Sequence, residues 1–313
     1  MNFDNYLFRA HSIGKMMAGV PKVLTPTQVN TLESYTQRLA GVGRPLTDNQ
    51  KETLGDLLKK KNAKCKLTTG AETFLNQLVW EEITGRREEI QSKYIDKGLA
   101  CEEHSLTLYS NIKSRLILKN KERKNNAFFT GECDIARYKV RDIKTSWSYS
   151  TFPLTTTKMP SKLYGWQLDV YMDLFKYKRS ELIYCLVDTP TELIEDELRR
   201  LHWKYGLYDG NGNIYEQQID FVVQVISNLI FTFKGLEDFC KQSGSVKLDW
   251  FAENFKQLPE EIRVKIFKQN YCEKRNKQLK EMVALARAYM NKVLLKIGED
   301  AIELNNYKLK QTS

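Results

Sequence analysis

The chain has 313 residues, 42% hydrophobic and 11% aromatic, with 49 Lys and Arg against 39 Asp and Glu for a net charge of +10. This is enough apolar material for a sizeable core, and no stretch approaches the roughly 20 consecutive apolar residues of a membrane span. The six cysteines and three histidines lie scattered with no C-x-x-C pair. That argues against zinc and iron–sulfur sites and leaves a hard, oxygen-held ion as the metal class.

The basic balance fits a polyanionic partner, though surplus lysine also serves solubility. The opening MNFDNYLFRAHSIGK lacks the basic-then-apolar pattern of an export signal, and the scattered thiols fit a reducing compartment. A cytoplasmic protein is expected. Gly14-Lys15 is no phosphate loop, because Met16 stands where Ser or Thr is required. Residues 21–66 are polar, with helices expected at 26–39 and 47–61; the run Lys59-Lys60-Lys61 reads first as a solvated face. Apolar spacing predicts a helix over 70–84 and a longer one over 88–116. In the second, Gly98 and Ala100 are expected to allow close approach to a sheet, carrying Glu102 toward it.

The stretch Phe128–Ser146 (FFTGECDIARYKVRDIKTS) reads as two strands joined by a tight turn. Asp134 falls near the end of the first. On the second, Tyr138–Thr145, alternation places Val140, Asp142 and Lys144 on one face and Arg141, Ile143 and Thr145 on the other. Two acids and a lysine converge on one patch. Asp134, Asp142, the Ile143 carbonyl and Glu102 are candidate ligands for Mg²⁺, with Lys144 placed to orient water or stabilise transition-state charge. The competing reading is a buried ion-pair network, which Coulomb energy alone seldom sustains.

A polar loop, 146–161, precedes a helix expected over 162–178. Its apolar stripe includes Gln167, which either satisfies a backbone group or holds a scissile phosphate. Glu181–Val187 reads as a buried strand, completing a right-handed parallel crossover. Residues 214–234 are ambiguous between strand and helix. The last hundred residues read as helices, one starting at Pro259-Glu260-Glu261 and a long one over 279–296. With no repeat or linker, a single domain is expected: core 68–190, N-terminal helical segment 1–67, C-terminal mainly helical extension 191–313.

In their order, Glu102, Asp134, Asp142-Ile143-Lys144 and Gln167-x-x-x-Tyr171 resemble the PD-(D/E)xK nuclease superfamily. Gly98-x-x-x-Glu102, Gly131-Glu132-Cys133-Asp134 and Asp142-Ile143-Lys144-Thr145-Ser146 look like its phage lambda-type exonuclease and YqaJ-like viral recombinase group. The resemblance implies an α/β restriction-endonuclease-like core, a small mixed central sheet flanked by helices, with additional C-terminal helices. It implies Mg²⁺-dependent (or Mn²⁺-dependent) exonuclease action, 5′ to 3′, on double-stranded DNA ends, with a single-strand annealing protein as partner and a homo-oligomeric ring as assembly. It makes Glu102, Asp134, Asp142, Lys144, Gln167 and Tyr171 the catalytic set, and Arg9, Ser12, Thr145 and Ser146 DNA contacts. Glu103 and Glu132 stand beside two of the acids and leave open which member of each pair binds metal. A site- or structure-specific endonuclease and a non-catalytic DNA-binding protein are the alternatives.

Overall fold

The computed structural model describes residues 1–88 and 91–311, with side chains as far as Gly298. Strand β1 (Phe8–Arg9) and a 3-10 helix (Ile13–Gly19) lead into α1 (Pro26–Leu39) and α2 (Asp48–Asn62). Thr25 and Thr47 start these helices through reciprocal bonds with Gln28 and Gln50, each pair satisfying two otherwise orphaned backbone N–H groups. Helix α3 (Thr69–Thr84) follows as expected and ends at Gly85 in the left-handed region.

The helix expected over 88–116 is two helices, α4 (Lys93–Ala100) and α5 (Glu102–Ile112), broken at Cys101. Cys101 is fully buried and serves both as C-cap and as N-cap. The break puts Glu102 and Glu103 in the first turn of α5, where the helix dipole favours acids. Gly98 does not provide the expected close approach: a methyl group there would meet nothing within 4 Å.

The expected hairpin is divided between two sheets. Strands β2 (Lys124–Asn125) and β3 (Phe129–Gly131) join β1 in the order β1-β3-β2. Strands β4 (Ile135–Ala136) and β5 (Val140–Thr145) open a second sheet, Ala136 opposite Val140, with Tyr138 at φ 61° in the connection. The chain switches sheets at Glu132–Asp134, just after Gly131, which fits tightly against the segment after β1 and against Tyr171. A Cβ on it would stand 2.8 Å from Ala10 Cβ and 3.0 Å from Tyr171 Cε1.

Helix α6 (Lys162–Phe175) ends at Lys176 rather than 178, and β6 (Arg179–Cys185) lies parallel to β5, with Asp142 opposite Leu182. Helices α7 (Thr191–Tyr205), α8 (Ile219–Ser227) and α9 (Phe233–Ser243) follow; the ambiguous stretch is thus helix α8 and the turn after it. Pro259 starts only one 3-10 turn, and β7 (Val264–Asn270) then runs antiparallel to β6 before α10 (Glu273–Gln311). The all-helical reading of the last hundred residues is wrong at β7, whose pairing partner lies about eighty residues upstream.

The second sheet, β4-β5-β6-β7, is covered on both faces. Val140, Leu182 and Phe267 pack toward α6, α3 and α10, while Ile143, Ile183 and Ile266 pack toward α5. A separate apolar cluster joins α7, α8 and α9 to Trp147. Among the described residues no helix is long and apolar enough to cross a membrane.

Candidate active site

The face alternation expected on β5 is observed. Val140 packs in the α6-side core, whereas Thr145 Oγ1 pairs with Ser105 Oγ of α5 at 2.8 Å. Asp142 is buried and points toward α6, where Gln167 Nε2 donates to its Oδ1 at 3.1 Å and to the Tyr171 hydroxyl at 3.0 Å. The inward glutamine on the α6 stripe therefore fixes one carboxylate oxygen. Lys144 Nζ lies 2.7 Å from the other, Oδ2, and 5.1 Å from the ring centre of Tyr164. Asp142 Oδ2 is buried, and the Lys144 ammonium is its one close cation among the described residues.

Asp134 sits in the bend before β4. Its Oδ2 accepts the Ile143 N–H at 2.5 Å. Because a strand residue turns its N–H and C=O to the same edge, the Ile143 carbonyl also faces the Asp134 side, where β4 has already ended. Burial, then the neighbouring Asp142 charge, pushes the Asp134 carboxyl up to about 7, against the pull of the Ile143 N–H and Lys144. Burial would lower the Lys144 ammonium, but Asp142 outweighs it and holds Lys144 above the usual lysine range. Burial and Asp142 together raise the Tyr171 hydroxyl.

These groups open on a cleft of about 570 Å³ lined by Glu102, Asp134, Asp142, Ile143, Lys144, Thr145 and Ser146, with Tyr94, Trp147, Tyr164 and Tyr184 among its walls. Ser146 Oγ is buried there without a partner. Glu102 reaches the cleft from the start of α5, but its carboxylate is held by Lys119 Nζ at 2.6 Å. Glu103 lies outside the cleft, and Glu132 turns to Arg123 at 3.6 Å. Gln167 and Tyr171 stand behind Asp142 rather than in the wall. Arg9 and Ser12 are not in the wall either; Ser12 Oγ donates to the Arg9 carbonyl at 3.2 Å.

Sequence reasoning missed three neighbours. Tyr164 falls three residues before Gln167, a helical spacing that could have flagged it. Lys119 and His11 carry no local signal. Burial, then Arg9 and Lys144, lowers the His11 imidazole.

Among the described residues no three His, Cys, Asp or Glu side chains meet closely enough to form a ready-made metal cage. The donor set nevertheless fits a hard divalent cation: two neighbouring carboxylates that share one lysine, one of them pushed toward protonation by burial and by the other's charge, and a backbone carbonyl on the same edge.

The chain matches no protein-family model and no curated protein sequence. Its structure does have likenesses. It aligns with a phage-related exonuclease from Haemophilus somnus 129PT over 94% of this chain and 97% of that one, with a TM-score of 0.56 and 20% identity. An alkaline exonuclease (LHK-Exo) from Laribacter hongkongensis, also solved in complex with dAMP, aligns over 76% of this chain and 88% of that one, with a TM-score of 0.45 and 11% identity. The first likeness shows the fold: a mixed α/β architecture of the phage-related exonuclease kind, with small mixed sheets flanked by helices, as the sequence resemblance implies.

Proposed function

We propose that, on this fold, the chain is a metal-dependent DNA exonuclease acting at duplex ends. One observation carries the reading: the close, under-compensated pair Asp134 and Asp142, with Lys144 beside them, opens on a solvent cleft. Asp134, Asp142 and the Ile143 carbonyl are the proposed holders of Mg²⁺, or of Mn²⁺ in its place. Glu102 joins them once its carboxylate leaves Lys119. Such an ion, when bound, neutralises phosphoryl charge and lowers the pKa of water.

The rest is done by side chains. Gln167 keeps Asp142 from rotating, since its amide is itself tied to Tyr171. The Lys144 ammonium, steadied by Asp142 and the Tyr164 ring, holds the attacking water or the charge growing on a phosphoryl oxygen. Ser146 Oγ and Thr145 serve the DNA backbone along the wall, and Arg9 and Ser12 a terminal phosphate on the β1 side.

We read the chain as one nuclease domain, because β7 returns to pair with β6 after the helical stretch between them. Digestion from 5′ to 3′, a ring of copies and an annealing partner extend the same proposal, and rest on the sequence resemblance. Incubation with linear and covalently closed circular duplex in Mg²⁺ tests the core of it. Loss of the linear form alone supports an exonuclease, nicking of circles points to an endonuclease, and no cleavage in Mg²⁺ or Mn²⁺ sinks the enzymatic reading. Separate 5′ and 3′ end labels then give the polarity.

A further inference from the structure

Segment Lys113–Lys124, between α5 and β2, carries six cations and one acid. Its middle is an ordered, extended ridge. Ile117 is buried against α5, and its N–H reaches Ser110 Oγ at 3.3 Å. Alternation then throws Leu116 and Leu118 outward, 80% and 73% exposed. The far end is fastened to the carboxylate-bearing bend: Asn120 N donates to the Asp134 carbonyl at 2.7 Å and Asn120 Nδ2 to the Cys133 carbonyl at 3.0 Å. Lys119, between them, touches Glu102 in the cleft. Arg115 and Lys121 are exposed and enter no ion pair among the described residues.

Two outward leucines on a backbone tethered at Ile117 and Asn120, flanked by unpaired cations and starting at the cleft rim, match neither a solvated loop nor an apolar core. We infer that this ridge is a DNA-gripping surface that holds the duplex beside the cleft. Arg115 and Lys121 take backbone phosphates, and Leu116 and Leu118 lie against the sugar edges of the groove. The occupant is chosen by charge complementarity and by continuity with the cleft, so the inference rests on the nuclease reading above.

The test is equilibrium binding of a labelled blunt duplex to the full chain carrying Asp142→Asn, across a salt series, with molecular mass by light scattering and melting curves to verify folding. Adding Arg115→Ala with Lys121→Ala is expected to weaken binding about tenfold and to make the slope of log K against log salt shallower by roughly 1–2, as loss of two phosphate contacts requires. Adding Leu116→Ser with Leu118→Ser is expected to weaken binding several-fold with the slope unchanged. Binding by both double variants equal to that of the unmodified background overturns the ridge and leaves the nuclease reading standing. A drop in molecular mass in the leucine variant overturns it too, by making the ridge a contact between copies. Absence of duplex binding by the background itself, with no cleavage by the natural chain, overturns both.

Discussion

Strand β5 carries buried charge on both faces, and the two faces are built differently. At one, Arg141 Nε donates to Glu181 Oε2 at 2.9 Å, Lys139 pairs with the other carboxylate oxygen, and Arg141 also reaches the Arg137 carbonyl at 3.2 Å. Burial alone would raise Glu181, but Lys139 and Arg141 outweigh it and hold the carboxyl below its usual range. At the other, Asp134 and Asp142 share the single cation Lys144, and Asp134 is pushed up to about 7. A network whose charges close on themselves holds the sheet together. One left short of positive charge, beside open solvent, is suited to a cation from outside. On the proposed reading the first cluster is structure and the second is function.

The contrast breaks most visibly in activity. Asp142→Ala and Lys144→Ala are each expected to lower DNA hydrolysis at least about a thousandfold, the scale of losing a group that stabilises developing charge, with an unchanged circular dichroism spectrum. Near-normal turnover in either variant would remove the cleft from the mechanism.

Stability should separate the two clusters next. Glu181→Gln leaves Arg141 buried, and Lys139 half-buried, without their acid and is expected to cost about 3 kcal/mol in denaturant unfolding. Asp134→Asn keeps an acceptor for the Ile143 N–H and removes one of two repelling charges, so metal-free protein should become more stable. If both substitutions destabilise alike, the two clusters are the same kind of network.

A cation should then reverse the Asp134 effect. Mg²⁺ at a hundred times its dissociation constant is expected to stabilise the natural chain by about 2.7 kcal/mol, read as a rise in melting temperature, and to leave Asp142→Ala unmoved. An equal shift in both would place the ion elsewhere.

The pH profile of metal-free stability gives a smaller and finer test. The folded Asp134 carboxyl lies near 7 against an ordinary 3.8. It therefore binds a proton more tightly when folded, and its contribution is full below about pH 4 and lost as pH rises toward 7. Glu181 is lowered from 4.5, so its contribution is present above that value and lost as pH falls below it. Melting curves of the chelated protein should lose the first slope in Asp134→Asn and the second in Glu181→Gln. The smallest effect expected is a several-fold fall in turnover for Tyr171→Phe, which removes the hydroxyl that anchors Gln167.

What could be read in advance follows from what is local. Alternation on β5 is a two-residue rule, so Asp142 and Lys144 on one face and Ile143 and Thr145 on the other were legible from the letters, and so was Gln167 on the α6 stripe. The capped helices α1, α2 and α3 were legible for the same reason. Strand β7 was not, because Val264–Asn270 has no strong strand pattern and exists through its pairing with β6. Nor was the division of Phe128–Ser146 between two sheets, because β3 takes its place beside β1, far upstream in the chain, while β4 pairs with β5.

The sequence by itself determined the identity and spacing of the acids, the lysine and the glutamine, because a strand repeats every two residues and a helix every 3.6. Only the tertiary structure decided how well their charges are balanced. The break at Cys101 brings Glu102 to the cleft but delivers it to Lys119, and the bend at Glu132–Asp134 brings Asp134 against the Ile143 N–H. Coulomb energy and desolvation depend on distance through space and on burial, and neither is set by separation along the chain.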